Sequence, residues 1–152
     1  MPRFLDMVDL DFFLVAMRYT LLEQETLKEE LPYCERRNVG IIIGGVYNSG
    51  ITATGAVPGA KYNYADATAE ILERVRRIEA VCKDHDVPLP AAALQFPLGH
   101  AAVAAVIPGA IHADQVAQNV RNFAHPIPAA FWQDLKTKGL LDRDAPLPAT
   151  RG

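Results

Sequence analysis

The sequence of 152 residues is half apolar and 22% charged and carries a formal net charge of −3 at pH 7, which is typical of one globular domain rather than of a disordered segment. Its basic residues are scattered, and no apolar run reaches the roughly 20 residues that cross a bilayer, so we expect neither a nucleic-acid nor a membrane partner. The N-terminus lacks the charged-then-apolar layout of a signal peptide, which favours a cytoplasmic protein.

The first third of the chain predicts two strands separated by a helix. Residues 3–7 are typical of the last turns of a helix, and the apolar run 11–17 predicts a strand buried on both faces. A helix over 23–37, interrupted or restarted at Pro32, precedes a β-branched strand at 39–44. Because a domain rarely begins with a helix tail that packs on nothing earlier, we expect the chain to be part of something larger.

The rest of the chain predicts one further strand and a series of helices. A loop of small and polar residues at 45–50 and a flexible segment at 52–65 follow the second strand. The remaining predicted elements are a helix at 66–85, a short helix at 91–98, a strand at 103–107, and helices at 113–123 and 129–138. We assign 1–140 to the folded unit and 141–152, which contains two prolines, to a frayed tail.

This alternation of strands and helices indicates an α/β fold with a parallel sheet and helical crossovers. Three strands of this kind leave unpaired backbone groups at the sheet edges. We therefore expect self-association of the free chain.

Neither the cysteines nor the histidines indicate a metal site. Cys34 and Cys82 lie far apart without metal-type spacing and are predicted to be buried thiols rather than a disulfide or zinc pair. The four histidines are too scattered for a recognised metal pattern. Ser49 lacks the frame of a nucleophile elbow, and no residue of the chain is predicted to be catalytic.

The sequence of residues 103–119 predicts an apolar strand, a turn of small residues and an amphipathic helix. Such a junction presents free backbone N–H groups and the positive end of a helix dipole to an anion. Gly109 and Ala110 let a ligand approach the backbone closely. The junction therefore predicts a phosphate or pyrophosphate site, although many such junctions bind nothing and serve only the fold.

Three motifs occur in a recognisable order, each after a predicted strand. They are Arg18-Tyr-Thr-Leu-Leu, Gly44-Gly-Val-Tyr-Asn-Ser-Gly50 and Ile107-Pro-Gly-Ala. In this order and spacing, over about residues 4–138, the chain resembles the aldo-keto reductase superfamily, and within it the bacterial aldose 1-dehydrogenases of the L-fucose or D-threo-aldose type. The resemblance implies a (β/α)8 TIM barrel with its active site at the carboxyl ends of the strands. This chain would supply an incomplete barrel, strands six to eight with their helices.

The resemblance implies that the loop after strand seven lies along a nicotinamide dinucleotide. The residues concerned are Gly45, Tyr47, Asn48 and Ser49. Gly44 stands where many relatives stack an aromatic ring on the nicotinamide, so that platform is either absent here or provided by a neighbour such as Tyr47.

After strand eight, the resemblance places Gly109 and Ala110 near the adenosine phosphate, and Gln118 and Asn119 facing the adenine. Gln115 stands where strongly NADP-selective relatives often have Arg. A neutral amide cannot grip a 2′-phosphate as a guanidinium does. The expected cofactor is therefore NAD or NADP, with NAD tolerated.

The resemblance also implies what this chain does not carry. The family's catalytic Asp, Tyr, Lys and His have no counterpart in this sequence, because they belong to the first half of the barrel. One hypothesis is a cofactor-binding C-terminal portion of an NAD(P)-dependent oxidoreductase that oxidises an aldose at C1 to a lactone, or reduces a carbonyl, with a sugar or other carbonyl substrate bound only when the missing half is present. The other is a non-catalytic barrel fragment that self-associates through its open sheet edges.

Overall fold

The computed structural model describes residues 1–149, and the last residues of the predicted tail, 150–152, lie outside this part. Its longer elements follow the predicted order of strands and helices. The helices are α1 (Pro2–Leu5), α2 (Glu30–Arg36), α3 (Ile51–Thr54), α4 (Ala69–Asp84), α5 (Leu89–Gln95), α6 (Ala113–Ala124) and α7 (Ala129–Thr137). The strands are β1 (Phe12–Ala16), β2 (Gly40–Gly44), β3 (Lys61–Tyr62), β4 (Ala65–Asp66) and β5 (Val103–Ile107).

The main sheet has three parallel strands in the order β1-β2-β5. This confirms the predicted parallel α/β arrangement with helical crossovers. In the register, Phe12 lies beside Gly40 and Ala16 beside Gly44, with one irregularity between Ile41 and Ile42 on the side of β5. All three strands therefore end at the same edge of the sheet.

The two faces of the sheet differ in burial. Ile41 and Ile43 point towards the helices and are fully buried. On the other face, Phe12 is 57% and Leu14 60% exposed. The prediction that the first strand is buried on both faces is therefore wrong for this chain, because no described element covers the second face.

Two helices show how local sequence sets their limits. In α4, the Thr68 hydroxyl accepts a hydrogen bond from the Ile71 amide and caps the helix. Helix α2 begins at Glu30, later than predicted, after a separate 3-10 turn at Glu25–Leu27. Pro32 thus lies in the first turn of α2, where a missing N–H breaks no helical hydrogen bond.

The segment 141–149 packs against the body of the protein, which differs from the frayed tail that its prolines predict. Leu141 and Ala145 are buried. The Asp142 amide donates to the Gln24 side chain at 2.7 Å, which ties the segment to the chain after β1. Apolar burial at two positions outweighs the local preference of a proline-rich stretch for disorder.

Within residues 1–149, no helix has the length and apolarity that crossing a membrane requires. Cys34 and Cys82 are free, buried thiols, as predicted.

Candidate functional site

A cleft of about 440 Å³ opens at the edge of the sheet where β1, β2 and β5 end. Met17, Gly45 and Gly109, which follow these strands, all line it. The residues predicted for cofactor binding that line it are Gly45, Tyr47, Ser49, Gly109, Gln115, Gln118 and Asn119. The lining residues that the sequence did not predict are Met17, Gly50, Ala53, Thr54, Tyr64, Pro90 and Asn122.

Two of the predicted site residues lie elsewhere. Ala110 lines a neighbouring apolar groove between β5 and α6. Asn48 is fully buried behind the turn that follows β2, and its side-chain amide has no hydrogen-bond partner among the described residues. Its short polar side chain suits the left-handed backbone found there, at φ 46°.

The floor of the cleft is a tight turn with an unusual backbone. Gly45 has φ of 61°, and a Cβ atom there would lie 2.6 Å from Cγ of Met17. Only glycine avoids both the left-handed strain and this collision. The missing side chain at Gly45 therefore lets Met17 pack against the turn at the end of β2, where both residues line the cleft.

Tyr47 joins this turn to α6. Its hydroxyl donates to Oδ1 of Asn119 at 2.7 Å, and Nδ2 of Asn119 is 3.5 Å from the carbonyl oxygen of Gly109. Burial raises the pKa of the Tyr47 hydroxyl, which is therefore a neutral donor at physiological pH. This chain of contacts holds the helix and both loops in one wall of the cleft.

The N-terminus of α6 is capped by a side chain of its own first turn. Oε1 of Gln115 accepts hydrogen bonds from the amides of Ile111 at 2.7 Å and His112 at 3.3 Å. Both amides belong to the junction 103–119, where the sequence predicts an anion site. The Gln115 amide oxygen is thus occupied by the helix cap, while its side chain still borders the cleft.

A short hairpin, β3–β4, closes one side of the cleft. The Tyr64 amide donates to the Ser49 hydroxyl at 3.0 Å. An ion pair of 2.5 Å between Lys61 and Asp66 crosses the hairpin, and the Tyr62 hydroxyl donates to the Glu23 carboxylate. The hairpin is therefore anchored both to the turn after β2 and to the loop after β1.

Among residues 1–149, no charged side chain lines the cleft. His100 lies outside it, buried, with Nδ1 accepting from the Ala102 amide at 3.1 Å. Burial lowers the pKa of His100, which favours the neutral ring that this hydrogen bond requires. Within the described residues, no group of three or more His, Cys, Asp or Glu is placed to hold a metal ion. The cleft therefore offers neutral hydrogen-bonding groups and bare backbone rather than acid–base chemistry.

A parallel sheet with a polar cleft at its carboxyl edge is the arrangement of α/β proteins that bind ligands at their strand ends. The model of the Aldo/keto reductase family matches residues 4–139. The chain belongs to this family, which confirms the resemblance that its three motifs indicate.

Two curated relatives are similar over most of the chain. Pyridoxal 4-dehydrogenase from Microbacterium luteolum is 44% identical over 137 residues, which cover 90% of this chain and 40% of that protein. D-threo-aldose 1-dehydrogenase from a Pseudomonas species is 43% identical over 134 residues, which cover 88% of this chain and 41% of that protein. The chain thus spans about two fifths of the length of these relatives.

Solved structures show the same fold. The apo form of an aldo-keto reductase from Bacillus halodurans matches with a TM-score of 0.69 and 24% identity, over 93% of this chain and 47% of that one. A glycerol dehydrogenase from Gluconobacter oxydans matches with a TM-score of 0.65 and 18% identity, over 100% of this chain and 48% of that one.

Proposed function

We propose that this chain is the C-terminal, cofactor-binding portion of an NAD(P)-dependent oxidoreductase. In this proposal β1, β2 and β5 correspond to strands six to eight of the family's (β/α)8 barrel. The observation that carries the proposal is the neutral cleft that begins where these three strands end. Ligands of barrel enzymes bind at this end of the strands.

The residues of the cleft fit an extended dinucleotide. A volume of about 440 Å³ is in the range of small-molecule sites. Gly109 allows close approach to the backbone, because no described atom lies within 4 Å of a Cβ atom there, and the amides of Gln118 and Asn119 supply donors and acceptors for a base. When bound, a nicotinamide dinucleotide would supply the hydride-transfer chemistry. The protein residues described above would hold and orient it.

The neutral lining of the cleft supports the expectation that NAD is tolerated. A 2′-phosphate adds negative charge that a guanidinium or ammonium group balances best, and none of the described lining residues is cationic. Gln115 does not compensate, because its oxygen is an acceptor and already caps α6. We therefore expect NAD to bind at least as tightly as NADP.

The substrate of the whole enzyme is proposed to be an aldose oxidised at C1 to a lactone, or a related carbonyl compound. Two similar proteins are named for the oxidation of pyridoxal and of D-threo-aldoses. The proton-transfer groups for this reaction would come from the part of the barrel that these relatives have and this chain does not span. The chain alone is then expected to bind cofactor without turnover.

The proposal is tested by titrating the purified 152-residue chain with NADH, NADPH and ADP-ribose. Nicotinamide fluorescence reports the first two and calorimetry all three. Gly45→Ala should weaken binding by about tenfold, because the added methyl group crowds the cleft floor against Met17. Gly139→Ala is the matched control, since Gly139 has a similar φ of 65° but lies outside the cleft. Absence of binding at millimolar ligand would refute the proposal.

The second candidate is a non-catalytic fragment that self-associates. Its supporting observations are the edge strands β1 and β5 of the main sheet and the open sheet face, where Phe12 and Leu14 are more than half exposed. Sedimentation velocity should then show a dimer or larger species that Phe12→Asn and Leu14→Asn weaken. Val57→Asn, at an exposed apolar residue outside the main sheet, should leave the association unchanged. A monomer at high concentration would exclude this candidate.

A further inference from the structure

The tip of the β3–β4 hairpin carries an aromatic ring that the fold does not use. Tyr64 borders the cleft, yet it is 83% exposed. Its amide donates to Ser49, but its hydroxyl has no hydrogen-bond partner among the described residues. An aromatic side chain left in solvent beside a cleft forgoes the burial that normally stabilises such a residue.

The backbone at this tip is also in an uncommon conformation. Asn63 and Tyr64 form a two-residue hairpin loop with φ of 49° and 66°. Such loops strongly prefer glycine at the second position, where a bulky side chain strains the left-handed backbone. Strain of this kind persists only where the surroundings impose it, and it is concentrated at ligand sites.

Three contacts hold the strained tip over the cleft floor. The Lys61–Asp66 ion pair closes the hairpin. The Ser49 hydroxyl accepts from the Tyr64 amide at 3.0 Å and reaches Sδ of Met17 at 3.9 Å. The hairpin tip, the turn after β2 and the end of β1 therefore meet at one hydroxyl group.

The cleft floor beside this tip is suited to a flat ligand. The Met17 side chain packs on Gly45, and its thioether is a polarizable surface that favours aromatic rings. We propose that Tyr64 is a specificity-determining residue whose ring stacks on a flat, pyridine-type aromatic ring held over Gly45 and Met17. Such a ring occurs in a nicotinamide group and in a heteroaromatic aldehyde substrate. The inference relies on the proposed function only for placing the ligand in this cleft.

The test measures ring binding by saturation-transfer NMR on the full chain. The probes are nicotinamide mononucleotide, pyridoxal and, as a probe without an aromatic ring, ribose 5-phosphate. Tyr64→Ala should weaken binding of the aromatic probes by about five- to tenfold and leave ribose 5-phosphate unchanged, while Tyr64→Phe should retain wild-type binding. Phe4→Ala removes another exposed ring, outside the cleft, and should change nothing.

A second variant separates ligand binding from folding. Tyr64→Gly should raise Tm by about 2–4 °C, because glycine relieves the left-handed strain, and should weaken ring binding as Tyr64→Ala does. A merely structural role for Tyr64 would instead lower Tm. Comparison of the two pyridine probes identifies whether the cofactor or a substrate supplies the ring.

The two proposals fail separately. If the wild-type chain binds neither aromatic probe, or if Tyr64→Ala binds both as tightly as wild type, the role of Tyr64 is overturned. ADP-ribose contains no nicotinamide, so its binding reports the dinucleotide site independently. Loss of ADP-ribose binding with intact, Tyr64-dependent ring binding would overturn the proposed function and leave this inference standing.

Discussion

Substitution of Gly99 by alanine probes whether the C-terminal segment is an integral part of the fold. Gly99 ends the 3-10 turn Phe96–Gly99, directly below the backbone of residues 146–148. A Cβ atom at this position would lie 2.6 Å from the carbonyl oxygen of Pro146, 2.7 Å from the carbonyl carbon of Leu147 and 2.7 Å from the nitrogen of Pro148. These are main-chain atoms, which cannot rotate away as the end of a side chain can.

The expected cost follows from this geometry. Inserting a methyl group into a packed region costs about 1–3 kcal/mol when the surroundings must shift. For a chain of this length, 1 kcal/mol lowers Tm by about 2–4 °C. Gly99→Ala should therefore lower Tm by roughly 2–12 °C. The φ of Gly99 is not left-handed, so the cost is spatial.

Thermal and urea unfolding, followed by circular dichroism, measure the effect. Gly109→Ala is the matched control, because nothing lies within 4 Å of a Cβ atom at Gly109. In a chain shortened after Ala145 the colliding atoms are gone, and Gly99→Ala should cost less than about 0.5 kcal/mol. Equal stabilities of Gly99→Ala and Gly109→Ala in the full chain would refute the packing of this segment.

Three further outcomes follow from the contacts of the site and core. Burial lowers the pKa of His100, so the unfolded chain binds a proton more readily than the folded chain. The free energy of unfolding should therefore fall as the pH drops below about 6.5, with a slope of up to about 1.4 kcal/mol per pH unit. Urea titrations measure this slope, and His100→Asn should abolish it. Tyr47→Phe should destabilise the chain by about 1 kcal/mol and show a coupling of about 0.5–1.5 kcal/mol with Asn119→Ala in a double-mutant cycle of urea unfolding. Burial raises the pKa of the Cys34 thiol and raises that of Cys82 to about 12. A thiol reagent at pH 8 should therefore label both cysteines only as fast as the chain unfolds, and mass spectrometry measures that rate.

The sheet could be predicted because its strands carry strong local signals. The β-branched run at 39–44 and the apolar run at 103–107 form β2 and β5 at nearly the predicted limits. The exposed face of β1 could not be predicted, since Phe12 and Leu14 are as apolar as buried residues. Apolar patterning reports which residues favour burial, but not whether an element is present to cover them.

The cleft could be predicted only in part, and two of the residues missed, Met17 and Tyr64, have a common cause. Gly45 and Gly109 follow strands and stand out as glycines, whereas Met17 and Tyr64 belong to types that rarely adopt a left-handed backbone. Long-range contacts impose that conformation, so no window of local sequence reveals it. The hydroxyl of Ser49, which contacts both, is the clearest example, because it joins residues that lie far apart in the chain.

The distribution of these left-handed residues bears on function. Of the seven described non-glycine residues with positive φ, Met17, Asn48, Ser49, Asn63 and Tyr64 belong to the cleft lining or to the turns that form it, whereas Asn38 and Asp86 lie in turns after α2 and α4. Asparagine and aspartate tolerate this backbone, but Met17 and Tyr64 do not, and a turn alone would be served by glycine, as at Gly45. The strain that a turn does not explain is therefore confined to Met17 and Tyr64, which both line the cleft. Strain of this kind is concentrated at ligand sites, and these are the two side chains that the proposed ring ligand would contact.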